Sequence, residues 1–282
     1  ILDIDKAGFD CDYISDKYLR TCTFKNGMIE TAAGTRYKGI IIPGNNIMPS
    51  DVIEHISELK SQGAKIIKGD NIKAMEQAAK PELMRKNLGL KMIRRANSIG
   101  HHYFIANLTS KDIASSVALA VNEKHGIWYN PMTGEYHEAT IGDKGIQLNL
   151  KSGESRILIT SNKPVNEWKL GPKVKVGGKE AIAAADSKTI DLTENAWKLS
   201  FIEDAPKVDE TFNLKGVKSW EGLSDKAKVM MGTGVYETTI KLSKDDAKKQ
   251  WAIDLGDVRE SARVYINNKY VGCAWAVPYI LN

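Results

Sequence analysis

Cysteine is scarce in this 282-residue chain. Cys11, Cys22 and Cys273 are an odd number with no metal-ligand spacing, so neither a disulfide framework nor a zinc site organises the fold. A Cys11–Cys22 bridge stays open if the fold brings the two together, but buried free thiols are the simpler expectation. The residues leave the redox compartment open. No apolar run approaches the roughly 20 residues of a membrane-spanning helix, and no membrane partner is expected. Nor does one charge sign dominate: 40 basic and 35 acidic residues are mixed along the chain for a net charge of +5. A nucleic-acid binder would gather its Lys and Arg on one face, so no nucleic-acid partner is expected either. Only residues 80–95 are locally basic, with Lys80, Arg85, Lys86, Lys91, Arg94 and Arg95. A solvated helix face explains them more simply than a polyanion site. The sequence opens at Ile1 without Met or a charged-then-apolar leader, which leads us to expect a fragment. Internal repeats and low-complexity tracts are absent.

What is present divides into segments of different period. At this length two or three domains are expected. From Tyr37 to Lys68 the order is an apolar strand at Gly39–Ile42, a turn at Pro43–Asn46, a helix, and a strand at Ala64–Ile67, the grammar of a parallel sheet. Ser50 or Asp51 followed by Glu54 predicts the helix start, Val52, Ile56 and Leu59 form its apolar stripe, and Gly63 predicts its end. Asp12–Leu19 resembles a short amphipathic helix, and Asn26-Gly27 has the signature of a tight hairpin. After about residue 97 the period becomes two, and all later segments read as strands. His102, Phe104, Ala106 and Leu108 share one face of the first; Val117, Leu119 and Val121 follow, then Ile146, Leu148 and Leu150, then Ile157 and Ile159. Further alternating sets are Trp197/Leu199/Phe201, Tyr236/Thr238/Ile240/Leu242, Trp251/Ile253/Leu255 and Ala262/Val264/Ile266, the last closed by an Asn267-Asn268 turn. The expected fold class is therefore multi-domain and mainly β. A small α/β domain at 1–97, flavodoxin-like or glutamine-amidotransferase-like, precedes a small β-sandwich at 98–161, a linker or peripheral hairpin at 162–194, and a second β-sandwich at 195–282.

Few residues offer chemistry. Glu135 and Glu138 are the best local carboxylate pair, but an odd separation on a strand sends them to opposite faces. The adjacent His101 and His102 also diverge, and His55 and His125 lack ligand partners at metal spacing. The Pro43–Asn46 loop sits where open α/β sheets bind ligands, yet holds Asn where a nucleophile elbow would hold Ser or Cys. Gly232-Thr233-Gly234 lacks the Lys of a phosphate loop and reads as a turn. Asn107-Leu108-Thr109 fits the glycosylation acceptor pattern, a frequent chance match. No catalytic residue, metal or cofactor is expected. The tryptophans are more informative, because an indole face stacks on the apolar face of a sugar ring. Four of the six lie in the last 90 residues. Trp197 and Trp251 sit in alternating apolar sets and read as core. Trp220 and Trp275 sit at loop-like ends and are the candidate glycan-binding residues, although core or interface packing competes for each.

Three stretches carry a resemblance: Gly232–Ile240, Asp254–Asn268 and Val271–Tyr279, preceded by Ser219-Trp220. They are similar to the galactose-binding-like β-sandwich, a jelly roll, of large glycoside hydrolases of the family 2 or β-galactosidase type. The upstream half resembles the region after the catalytic barrel in α-L-rhamnosidase-like hydrolases of the family 106 type. The matching elements are Asp12–Ser15, the Tyr37–Gly44 strand, Gly63-Ala64, His102–Asn107, Trp128 with Asn130–Glu135, and Gly153–Ser155. Residues 162–194 lie outside the match. The resemblance implies carbohydrate as partner, hydrolysis of rhamnose-containing glycans by the parent enzyme, and a periplasmic or extracellular setting. It also implies an upstream catalytic barrel in the same protein that carries the reactive carboxylates, so none is placed on this chain. The family pattern continues into further strands beyond Asn282, and an open edge or exposed core strip is expected there.

Overall fold

The computed structural model describes residues 2–44, 47–131, 134–168, 176–177 and 188–281. Ile1, Asn45, Asn46, Met132, Thr133, Asn282 and most of 169–187 lie outside the described residues, and with them half of the expected Pro43–Asn46 turn. The chain is mainly β with several separate sheets, as the alternating patterns require. Its described residues gather into two compact units, one within Ile1–Glu180 and Ile253–Leu281, the other within Ala181–Ala252.

The first unit opens with helices α1 (Leu2–Lys6) and α2 (Asp16–Leu19), then an antiparallel sheet of β1 (Thr23–Lys25), β2 (Met28–Glu30) and β3 (Arg36–Tyr37). Asn26 and Gly27 both take positive φ and join β1 to β2, as the Asn-Gly pair predicts. A single βαβ unit follows: β4 (Ile40–Ile42), α3 (Ser50–Ser61) and β5 (Ile66–Lys68), with β4 and β5 parallel. Val52, Ile56 and Leu59 are buried on one face of α3 as their spacing demands. Neither Ser50 nor Asp51 caps the helix through its side chain; Pro49 holds the N-cap, and the Asp51 carboxylate accepts from Arg20 Nε at 2.5 Å instead. Helices α4 (Ile72–Ala78) and α5 (Leu83–Leu88) complete this part, α5 ending on Gly89 in the left-handed region.

A β-sandwich comes next. Its larger sheet runs β14 (Val176–Gly177), β10 (Tyr136–Ala139), β9 (His125–Tyr129), β13 (Ser155–Ser161), β7 (Gly100–Ala106) and β6 (Lys91–Ala96). The smaller runs β11 (Ile141–Gly142), β12 (Gly145–Leu150) and β8 (Ile113–Val117). The strand pattern thus begins at Lys91, before the change of period near residue 97. Ile146, Leu148 and Leu150 are fully buried and meet Tyr103, Ile105 and Leu158 across the layers. Each such aliphatic side chain contributes about 1.5–3 kcal/mol by leaving water. On β7 the buried face is Tyr103 and Ile105; the set read with Phe104 points outward, and Phe104 is 45% exposed. The outer face is apolar too, which is why the pattern misleads. Trp168 covers Ile127 and Ile159 there, while Ile93, Phe104, Ile157, Tyr129 and Tyr136 form a cross-strand row.

The same unit contains β18 (Ile253–Asp254) paired with β21 (Ile280–Leu281), and the hairpin β19 (Ala262–Ile266) with β20 (Lys269–Ala274). Asn267 and Asn268 both take positive φ at its turn, as predicted. Of Trp251, Ile253 and Leu255 only Ile253 is in a strand.

In the second unit, β15 (Ala196–Ala205) lies between β16 (Phe212–Lys215) and β17 (Met231–Glu237). A short helix, α6 (Asp225–Val229), interrupts what the sequence reads as strands throughout. Thr238, Ile240 and Leu242 lie beyond the end of β17 and do not extend it. Asp246 is this unit's polar hub. Its carboxylate accepts from Lys188 (2.5 Å), Lys249 and Ser243 (both 2.8 Å), while its carbonyl accepts from Trp251 Nε1 at 2.8 Å. The Lys188 bond, with those of Lys249 and Ser243, holds the carboxyl far below the usual range. A depressed folded-state pKa contributes stability that is fully present above the unfolded value of about 4 and is lost as pH falls through the folded value. Asp246→Asn is therefore expected to lower this unit's stability at neutral pH, with the gap to wild type closing as the medium is made strongly acidic. Urea midpoints measured down the acid range check this, and a gap independent of pH would refute it.

Candidate functional site

The tryptophans separate by what holds them. Trp128 faces the sandwich core, Trp168 closes the outer face, and Trp197 and Trp251 anchor their indole N–H groups on Leu192 and Asp246 carbonyls. Trp220 is half-buried and packed. Its ring meets Phe201 edge-on at 5.8 Å and stacks near Tyr236 at 6.4 Å. Gly234 permits this: a Cβ there would stand 2.6 Å from Trp220 Cζ3. Gly232-Thr233-Gly234 is accordingly part of strand β17 and not a turn, since glycine marks close approach as well as chain reversal. The Ser219 side chain accepts from Glu221 N and starts the 3-10 turn Trp220–Gly222, while Tyr236 Oη donates to the Lys218 carbonyl. Phe201, Tyr236 and Gly234 thus give the Trp220 ring a packed setting.

Trp275 differs. It follows β20 with 62% of its surface exposed. The same hairpin carries Tyr265 and Tyr270, cross-strand partners with ring centroids 5.5 Å apart, both largely exposed along with Ile266 and Val271. Core packing does not explain the exposure of the Tyr265–Tyr270 pair on the hairpin or of Trp275 after it. Trp220 and Trp275 belong to separate compact units. Tyr265 and Tyr270 were not picked out by sequence reasoning; their one signal is two tyrosines flanking an Asn-Asn turn at positions that pair across it.

The carboxylates are distributed otherwise. Glu138 sits on β10 opposite Ile127, on the outer face, while Glu135 precedes the strand, 3.8 Å from His137 Nε2. Buried carboxylates are bonded to cations: Glu154 to Arg156 Nε at 2.6 Å, and Glu82 to Arg94. Burial pushes the Glu82 carboxyl up, opposed by the charge of Arg94. His101 Nδ1 lies 2.6 Å from Glu123 Oε1, and His102 Nδ1 lies 2.7 Å from Asn97 Nδ2 on the other face, so the two histidines do diverge. His55 Nε2 contacts the Cys22 carbonyl at 3.0 Å. Among the described residues no group of three His, Cys, Asp or Glu is arranged to hold a metal. Cys11, Cys22 and Cys273 are free thiols, and burial pushes those of Cys11 and Cys22 up, away from the reactive thiolate.

The basic stretch 80–95 is not a solvated helix face. Arg85 is buried and pairs with Asp10 (2.7 Å) and Asp5 (3.3 Å); Lys86 pairs with Glu76, Lys91 with Asp5 and Arg94 with Glu82. The stretch spans α5 and β6, so its charges face several acidic segments and no single solvent face forms. Asn107 is likewise fully buried, which removes it as a glycan acceptor.

No family model matches the chain. Over 148 residues it is 27% identical to a Formosa agariphila protein described as "Putative beta-glucuronidase", a match covering 49% of this chain and 13% of that protein. The structure matches the rhamnosidase from Novosphingobium sp. PP1Y with a TM-score of 0.60 and 17% identity, over 96% of this chain and 30% of that one. The chain thus spans less than a third of either relative. At this identity the structural likeness is one of fold. Together the two matches make the chain similar to a region of glycoside-hydrolase-type proteins.

Proposed function

We propose that the chain is an accessory, non-catalytic region of a glycoside hydrolase acting on rhamnose-containing polysaccharide, and that it supports a catalytic barrel elsewhere in the same protein. The observation that carries this reading is the fold match, which takes in 96% of this chain but only 30% of the rhamnosidase. The carboxylates agree with it, since buried Glu82 and Glu154 are paired with arginines, buried Asp246 with lysines, and Glu138 lies on strand β10 while Glu135 precedes it. The region is read as an α/β part followed by a β-sandwich whose sheet already includes β6, with the galactose-binding-like jelly roll expected at 195–282 divided between the two compact units, in a protein of periplasmic or extracellular location. The purified chain is expected to show no turnover of aryl α-rhamnosides or β-galactosides. Turnover abolished by Glu135→Gln would overthrow the proposal.

A second reading, a self-sufficient carbohydrate-binding module, is favoured by the exposed ring of Trp275, which follows the strand carrying Tyr270. A flat aromatic surface stacks on the C–H face of a pyranose. Titration with rhamnose, galactose and plant-wall oligosaccharides should then shift the Trp275 indole N–H signal saturably and leave that of packed Trp220 in place. Silence of both at high sugar concentration leaves the supporting role alone.

A further inference from the structure

Hydrogen-bonding capacity goes unused at one place inside the sandwich. Thr160 Oγ1 and Glu123 Oε2 are buried without a partner among the described residues, and the buried Tyr103 hydroxyl, which Arg94 approaches as a donor, has no acceptor for its O–H. Tyr103 and Thr160 are fully buried, and only 9% of the Glu123 side chain is exposed. Register brings them together. Thr160 of β13 is the cross-strand partner of His101 on β7, and Tyr103 lies two residues along β7 on the same inward face. Glu123, in the segment leading into β9, comes to the cross-strand partner of Thr160, its Oε1 accepting from His101 Nδ1 at 2.6 Å. Burial pushes the Tyr103 hydroxyl up, with the charges of Glu82 and Glu123 adding to it and the charge and hydrogen bond of Arg94 opposing it.

The inventory of free groups defines what would satisfy them. Two hydroxyls can donate, and one carboxylate oxygen can only accept. The missing partner must accept twice, donate at least once, and be small enough for a closed interior. A cation fits poorly, because it cannot accept from the hydroxyls and the Arg94 guanidinium already supplies positive charge beside Tyr103. We propose that Tyr103, Thr160 and Glu123 hold one internal water molecule between β7, β13 and the approach to β9. It accepts from the Tyr103 and Thr160 O–H groups and donates to Glu123 Oε2, within the two to four bonds usual for a structural water. His101 is then a positioning residue that aims the Glu123 carboxylate.

The test uses the labelled 282-residue chain. Water-selected NOE spectra should show a long-lived water close to the Tyr103 ring protons and the Thr160 methyl. In the Tyr103→Phe/Thr160→Val double variant those cross-peaks should vanish while the amide spectrum keeps its native dispersion. Absence of the cross-peaks in the wild-type chain overturns the proposal whether or not the variant folds. So does a crystal structure in which Tyr103 bonds Glu123 directly, or in which the site holds a metal ion ringed by oxygens.

Discussion

Replacing Arg85 with alanine is expected to lower the stability of its unit by about 3 kcal/mol, the low end for breaking a buried ion pair. The guanidinium is 5% exposed and serves four acceptors. Nη1 meets Asp10, Asp5 and the Phe9 carbonyl at 2.7, 3.3 and 3.2 Å, and Nη2 meets the Met92 carbonyl at 2.5 Å. It therefore joins the N-terminal segment to α5 and the edge strand β6. Truncation strands the Met92 carbonyl in the interior. Asp10 is 71% exposed and is rehydrated at little cost, which keeps the penalty from reaching the top of the range. Arg85→Lys should recover only a part, because one ammonium cannot reproduce a planar fork with donors on two sides. The measurement is a urea midpoint at unchanged slope. A loss below about 1 kcal/mol would mean that solvent replaces the arginine and that its burial has no energetic role.

Arg85 also shows where local sequence stops being informative. Six cations within 16 residues look like one solvated face until their partners are known, and Asp5 and Asp10 lie more than 70 positions away. Features decided within a few residues were legible: the α3 stripe Val52/Ile56/Leu59, the Asn26-Gly27 and Asn267-Asn268 turns, and the alternation of Ile146, Leu148 and Leu150. Periodicity found β7 but not its buried side. His102/Phe104/Ala106 and Tyr103/Ile105 are both apolar enough to qualify, and the choice rests on which sheet lies opposite. Of the two candidate tryptophans the sequence distinguished neither. What separates them is Gly234, 14 residues after Trp220, whose missing side chain makes room for that indole, whereas the indole of Trp275 stays exposed. The inward polar set was invisible for the same reason, since Glu123 and Thr160 acquire their relation only through strand register.

Asn107→Ala is expected to cost about 3 kcal/mol as well, and the aspartate variant more. The side chain is fully buried where β7 ends. Its Nδ2 donates to the carbonyls of Lys111 (2.8 Å), Leu150 (3.2 Å) and Lys151 (3.1 Å), and its Oδ1 accepts from Thr109 N (3.1 Å) and Thr109 Oγ1 (2.7 Å). Backbone bonds from Asn107 N to Glu154 O and from Gly153 N to Asn107 O tie it to the turn before β13. One amide thus ties the loop after β7 to the end of β12. Each such bond contributes about 1 kcal/mol net, and a stranded buried group costs about 1–3. Alanine loses the bonds and leaves the carbonyls short of donors. Aspartate keeps the Oδ1 contacts but turns an acceptor, charged when ionised, toward three carbonyl oxygens, so repulsion is added to loss. For a unit of this size about 3 kcal/mol lowers the melting temperature by roughly 6–12 °C. The order wild type, alanine, aspartate is the informative part. If aspartate proved the more stable of the two variants, the amide would not be donating to those carbonyls. The Asn-Leu-Thr triplet would then need another explanation than the one its burial supplies, namely that Thr109 follows Asn107 because its N–H and O–H together satisfy the amide oxygen.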